Sequence, residues 1–156
     1  MSYPKVPEKH NESDLLVSKE IDIHAPLDTV FGVLTDFDIF ADLEEPVKSV
    51  TITSEVKEGK GLKSHWQIVD PDSGGLWSLD EEIIHYDRPN QYAYVGCGSN
   101  GQNYTGVHNL SRNADGSTHL QFNEVFHFEG DPDVYGEILR RLLENVKKES
   151  EKRVKN

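Results

Sequence analysis

The sequence has little cysteine, little positive charge and no long apolar run, and each shortage excludes something. Cys97 is the only cysteine in 156 residues. An intramolecular disulfide is therefore impossible, and a reducing, cytoplasmic setting is the expectation. Lys and Arg number 16 against 28 Asp and Glu, for a net charge of −12. Such a surface repels phosphate backbones and anionic headgroups, which argues against nucleic-acid partners and against flat binding to anionic membranes. An apolar ligand held inside stays open. Apolar runs fall short of the ~20 residues that a membrane span needs, so no integral membrane insertion is expected. Met1 to Asp14 has no apolar signal core and reads as a flexible arm ahead of one domain, residues 15–156. Hydrophobic residues make up 35%, enough for one real core at this length. Monomer and homodimer both remain open.

What is present is organised by the last segment. From Pro132 to about Val154, Val134, Tyr135, Ile138, Leu139, Leu142, Leu143 and Val146 recur at spacings of three and four. That is one face of a helix. Asp131 suits the cap, Pro132 the first turn, and the basic run from Lys147 to Lys155 the far end. At 1.5 Å per residue such a helix is roughly 33 Å long. Its apolar face needs a wide cover.

The preceding chain supplies that cover as short strands. Leu16 to His24 alternates, with Val17, Ile21 and Ile23 on one face. Lys19 shares that parity and is expected near a frayed strand start. Pro26 opens a helix that buries Val30, Phe31, Val33 and Leu34, and a second short helix spans about Asp38 to Leu43. Strands are expected at Val47–Val56, Leu62–Val69, Leu76–Tyr86, Gln91–Cys97, Gln102–Arg112 and Thr118–Phe128. Turns fall at Glu58–Gly61, Asp70–Gly75, Asp87–Asn90, Gly98–Gly101 and Asn113–Gly116. The fold class is α+β: a seven-stranded curved antiparallel sheet around a long C-terminal helix, with two short helices between strands one and two.

Within that order, local segments carry a resemblance. Ile21-Asp22-Ile23-His24-Ala25-Pro26-Leu27-Asp28-Thr29-Val30-Phe31 is similar to a strand-Pro-helix opening, followed by Leu34-Thr35-Asp36-Phe37. Gly59-Lys60-Gly61 and the stretch from Tyr86 to Tyr94 continue it. Together they resemble the polyketide cyclase/dehydrase and lipid-transport group of the START and birch-pollen-allergen helix-grip superfamily. The resemblance covers roughly Val17 to Val154 and implies an internal, mainly apolar cavity, with no universal catalytic set. Its members range over ligand carriers, receptors, ring-closing enzymes and chaperone regulators. One stretch departs from a pure lipid carrier: Gly96 to Gly106 is unusually small and polar beside the implied cavity.

Strand parity nominates the site. Glu124 shares a face with Leu120, Phe122 and Phe126, and Glu81 with Trp77, Leu79 and Ile83. A carboxyl among aromatics has a raised pKa and can act as acid or base; at a rim it only bonds backbone, Arg or water. His108 and Tyr104 lie two apart on one strand and can both reach a bound oxygen, or form a semi-buried structural pair. Trp66, Trp77, Tyr94, Tyr104, Phe122 and Phe126, with Leu139 and Leu142 from the helix, line a pocket or form ordinary core. His85 is placed on the face of Glu81, which makes a His85, His108 and Glu124 metal set conceivable but disfavoured. No HExxH or clustered His/Cys spacing supports a metal, and no cofactor is implied. Cys97 reads as a buried filler, while His65, His119 and His127 fall on the solvent side.

Three functions follow as expectations. The first is binding of a small hydrophobic or aromatic molecule. The second is a cofactor-independent cyclase or dehydratase, with Glu124 or His108 as base and Tyr104 bonding the enolate. The third is a protein-interaction module of the chaperone-activator kind.

Overall fold

The structure is a computed structural model and describes residues 3–70, 73–99, 101–127 and 131–155. Phe128, placed at the end of the seventh strand, lies outside the described residues, as do Pro71, Asp72 and Asn100 of two expected loops and the Glu129-Gly130 connection.

The first strand, β1 (Leu15–Ile23), leads through Pro26 into α1 (Leu27–Leu34), a 3-10 turn (Phe37–Ile39) and α2 (Phe40–Leu43). Six strands follow: β2 (Val47–Ile52), β3 (Lys63–Val69), β4 (Leu76–Asp87), β5 (Gln91–Gly98), β6 (Asn103–Arg112) and β7 (Thr118–Phe126). The chain closes with α3 (Pro132–Lys155). The strands form one sheet in the order β1-β7-β6-β5-β4-β3-β2, antiparallel throughout. This is the helix-grip architecture.

Local chemistry explains the elements. Pro26 fits the start of α1, and the helix buries Val30, Phe31, Val33 and Leu34 completely. Asp131 caps α3, its Oδ1 accepting from the Asp133 amide at 2.9 Å. Leu139, Leu142, Leu143 and Val146 are buried under the sheet, each contributing roughly 1.5–3 kcal/mol. Val134, counted on that apolar face from its spacing, is instead exposed, one turn from the helix start. Gly136 of α3 faces β1: a Cβ there would make ordinary contacts, 3.4 Å from Lys19 Cε and 4.0 Å from Val17 Cγ1. Lys19 therefore does not fray. It sits in mid-strand opposite Phe122, with its stem against α3.

Two expectations shift because local geometry overrides pattern. The second strand stops at Ile52 rather than Val56. Ser54 Oγ accepts from the Lys63 amide at 2.9 Å and donates to the Val56 carbonyl at 2.6 Å, which turns the chain out of the ladder. In β4 the register slips between Ile83, opposite Tyr94, and His85, opposite Ala93. This bulge reverses the parity beyond it. His85 leaves the face of Glu81 and stacks on Tyr3 at 4.4 Å on the outer side, while Tyr86 turns inward to meet Phe31.

The N-terminal residues run across that outer side. Asn109 Nδ2 and Asn123 Nδ2 each donate to the Lys5 carbonyl at 3.0 Å. His127 Nδ1 lies 2.9 Å from Asp14 Oδ2, with the His10 ring edge-on to it at 4.6 Å. Residues 3–14, expected as a loose arm, thus make specific contacts with β5–β7. Cys97, expected to be buried, is exposed, on the opposite face from Tyr94 and Gly96's partner Tyr104.

Candidate functional site

Between the inner face of the sheet and α3 lies a cavity of about 530 Å³. That is within the usual range for small-molecule sites. Leu76 and Val134 line it and are nevertheless exposed, so they mark its mouth. Asp70, Ser73, Gly75 and Asp131 line the same end.

Every residue nominated as ligand-binding lines this cavity. Trp66 comes from β3, Trp77 and Glu81 from β4, Tyr94 from β5, Tyr104 and His108 from β6. Phe122, Glu124 and Phe126 come from β7, and Leu139 and Leu142 from α3. Antiparallel registry brings the polar ones together. Tyr94 pairs with Gly106, which pairs in turn with Glu124; Glu81 pairs with Gly96, which pairs with Tyr104.

The two glycines make this possible. A Cβ on Gly106 would fall 2.4 Å from Tyr94 Cζ, and one on Gly96 would fall 2.2 Å from Tyr104 Cζ. Each tyrosine ring lies flat across the strand next to its own, over a residue with no side chain. Its hydroxyl thereby reaches the carboxyl two strands away. Tyr94 donates to Glu124 Oε2, and Tyr104 donates to Glu81 Oε1 at 2.7 Å. The small stretch from Gly96 to Gly106 is the bed for two Tyr–Glu pairs.

Both carboxyls are perturbed by their surroundings. Burial pushes Glu124 up to about 8, against the opposing pull of the Tyr94 hydrogen bond. Burial also raises Glu81 well above the ordinary carboxyl range, while Tyr104 pulls it down. Glu44, at the end of α2, is a third carboxyl on the wall, pushed up to about 7 by burial alone. It was not nominated. Its signal was the first of two adjacent acids, Glu44-Glu45, between Leu43 and Pro46, a weak cue in a sequence with 28 acids. Phe37, Phe40 and Tyr92 also line the cavity without having been nominated.

His108 is held differently from expectation. Its ring lies between Tyr92, at 4.7 Å, and Phe122, at 4.0 Å, nearly parallel to both. Burial pushes it down to about 3, so it stays neutral and is a poor proton acceptor at neutral pH. Its Nδ1 is buried without a hydrogen-bond partner among the described residues. Tyr104 is committed to Glu81 rather than paired with His108. The His85, His108 and Glu124 set is not brought together, since His85 lies on the outer face.

The family model for polyketide cyclase / dehydrase and lipid transport matches residues 15–156. The chain belongs to that family. No curated protein matches it in sequence. Its fold is similar to a conserved protein from Geobacillus kaustophilus, with a TM-score of 0.74 at 18% identity, covering 88% of this chain and 96% of that one. It is also similar to Ara h 8.0201, at a TM-score of 0.67 and 20% identity, covering 90% and 97%. The di-domain ARO/CYC StfQ from the steffimycin biosynthetic pathway matches at 0.73 and 13% identity, over 89% of this chain and 46% of that one. Among the described residues no helix is long and apolar enough to cross a membrane. Family and fold are consistent with hydrophobic-ligand binding and with cyclase-like chemistry alike.

Proposed function

We propose that the protein binds a small hydrophobic or aromatic molecule in the cavity under α3. The observation that carries this reading is the wall itself. Trp66, Trp77, Tyr94, Phe122 and Phe126 surround about 530 Å³, with two tyrosine–carboxyl pairs as the polar fixtures. Aromatic walls with few convergent polar groups orient a flat ligand. Titration with the neutral fluorophore N-phenyl-1-naphthylamine tests it. Saturable uptake is expected, and it should disappear in Ile138→Trp, which fills the cavity from α3. Uptake unchanged in a folded Ile138→Trp protein contradicts this location.

One observation favours a second reading, a cofactor-independent cyclase or dehydratase. Glu124, pushed up to about 8 and bonded to Tyr94, is a protonatable group inside an aromatic cavity. Glu124 would move the proton and a tyrosine hydroxyl would bond a developing enolate. Turnover of a carbonyl substrate with a pH profile lost in Glu124→Gln supports this; binding without turnover goes against it.

A further inference from the structure

We infer that the ligand is a cation: a protonated or quaternary amine carried on an aromatic or hydrophobic body. The inference rests on the ligand-binding reading above and narrows its chemistry.

The first argument is the charge of the wall. Glu44, Asp70, Glu81, Glu124 and Asp131 line the cavity, and among the described residues no Lys or Arg does. Residues 71–72, 100 and 128–130 contribute no Lys or Arg by sequence either. Lys19, the cation of inward parity in β1, is against Gly136 and does not line the cavity. His108 is neutral. A carboxylate or phosphate ligand would find no Lys or Arg to pair with, whereas a cation would favour the ionised form of Glu44 and Glu124 that burial opposes. The net charge of −12 repels such a ligand before it arrives.

The second argument is what the wall offers a cation. Aromatic faces attract an ammonium through their quadrupole, more strongly once water is excluded. Trp66, Phe40 and Phe37 form an edge-to-face cluster on one side, and Glu44 lines the cavity with them. The Glu44 side chain has no hydrogen-bond or ion-pair partner among the described residues. His108 Nδ1 is buried without a partner among the described residues and can accept or donate, according to its tautomer. Glu81 and Glu124 each hold one tyrosine hydroxyl, which leaves lone pairs for a second donor. The charge of either kind of amine balances carboxyls that have no counter-ion among the described residues, and a protonated amine also donates to their open lone pairs. Burial has pushed Glu124 up to about 8 and Glu44 up to about 7, which is where carboxyls without a counter-ion settle.

The test compares three probes with one aromatic body: 2-naphthylmethyl-trimethylammonium, its neutral carbon isostere 2-neopentylnaphthalene, and 2-naphthylacetate. Each displaces N-phenyl-1-naphthylamine from the full chain. The cation is expected to bind at least about tenfold tighter than the neutral isostere, and the anion weakest. The double variant Glu44→Gln/Glu81→Gln should bring the ratio of the Kd values of cation and neutral isostere to about one. Glutamine keeps the shape of a protonated carboxyl, and a thermal melt checks the fold. A neutral isostere as tight as the cation in the wild-type protein overturns the cation inference and leaves the ligand cavity standing. A cation preference that persists in a folded double variant overturns the role given to these carboxyls. No uptake of any probe, the fluorophore included, overturns the cavity reading and the cation inference together.

Discussion

On the outer face of β5–β7, Asn109 and Asn123 donate to the Lys5 carbonyl and Asp14 meets His127. On the inner face of the same strands, His108 Nδ1 has no partner among the described residues, and Glu124 has one tyrosine. Both faces bury polar groups. The outer set is closed by residues 3–14 and its acid, Asp14, is held down at about 2, chiefly by the His127 hydrogen bond. The inner set is closed only in part among the described residues, by one tyrosine hydroxyl each on Glu81 and Glu124, and its acids are driven up. Single atoms without a partner among the described residues occur away from the cavity too, at His85 Nε2 and Ser150 Oγ; what marks a ligand site is several underpartnered polar groups gathered on one cavity wall.

The largest expected effect separates the faces by pH. Glu124 is raised from 4.5 to about 8, so the folded protein holds a proton that the unfolded chain has lost. Stability from this group is full below about pH 4.5 and falls through pH 8, by up to about 1.4 kcal/mol per pH unit. Glu124→Gln should flatten that slope between pH 4.5 and 8 in urea titrations; Glu44 and Glu81 keep a remainder. Asp14 is lowered from 3.8 to about 2, so its contribution is present above pH 3.8 and lost as pH falls through 2. Asp14→Asn should weaken the acid limb only. A Glu124→Gln effect confined to the acid limb would reverse the assignment of the two faces.

Deleting residues 1–10 comes next. It removes both Lys5 hydrogen bonds and the Tyr3–His85 stack, a loss of roughly 3 kcal/mol. N-phenyl-1-naphthylamine affinity should be unchanged, because nothing on the inner face moves. Gly106→Ala acts from the other side. Its methyl displaces the Tyr94 ring, at a cost of about 1–3 kcal/mol, and probe affinity should change with it. The smallest effect is expected for Asn123→Leu, which leaves the Ser18 hydroxyl and one bond to Lys5 unmade, about 1 kcal/mol in a denaturant melt. Affinity should again be unaffected.

Much of this was legible in residue spacing. Alternation in β7 turned Glu124 inward with Phe122 and Phe126, and the same rule in β6 turned Tyr104 and His108 inward. The three-and-four spacing of Leu139, Leu142 and Val146 gave α3 its buried face. What spacing could not give was registry. A one-residue bulge after Ile83 moved His85 to the other face, and parity counts carry no mark of an inserted residue. The Tyr94–Glu124 pair needs three strands aligned across Gly106, which no single strand reveals. The closure of the outer face by Tyr3 and Lys5 was hidden too, because its main acceptor is a backbone carbonyl.

The most direct measurement is native mass spectrometry of the purified protein, followed by denaturing extraction and identification of what is released. The account predicts a stoichiometric small molecule with an aromatic or hydrophobic body, or, for protein isolated empty, saturable 1:1 uptake of N-phenyl-1-naphthylamine. Protein that is both empty and unable to take up the probe would contradict it.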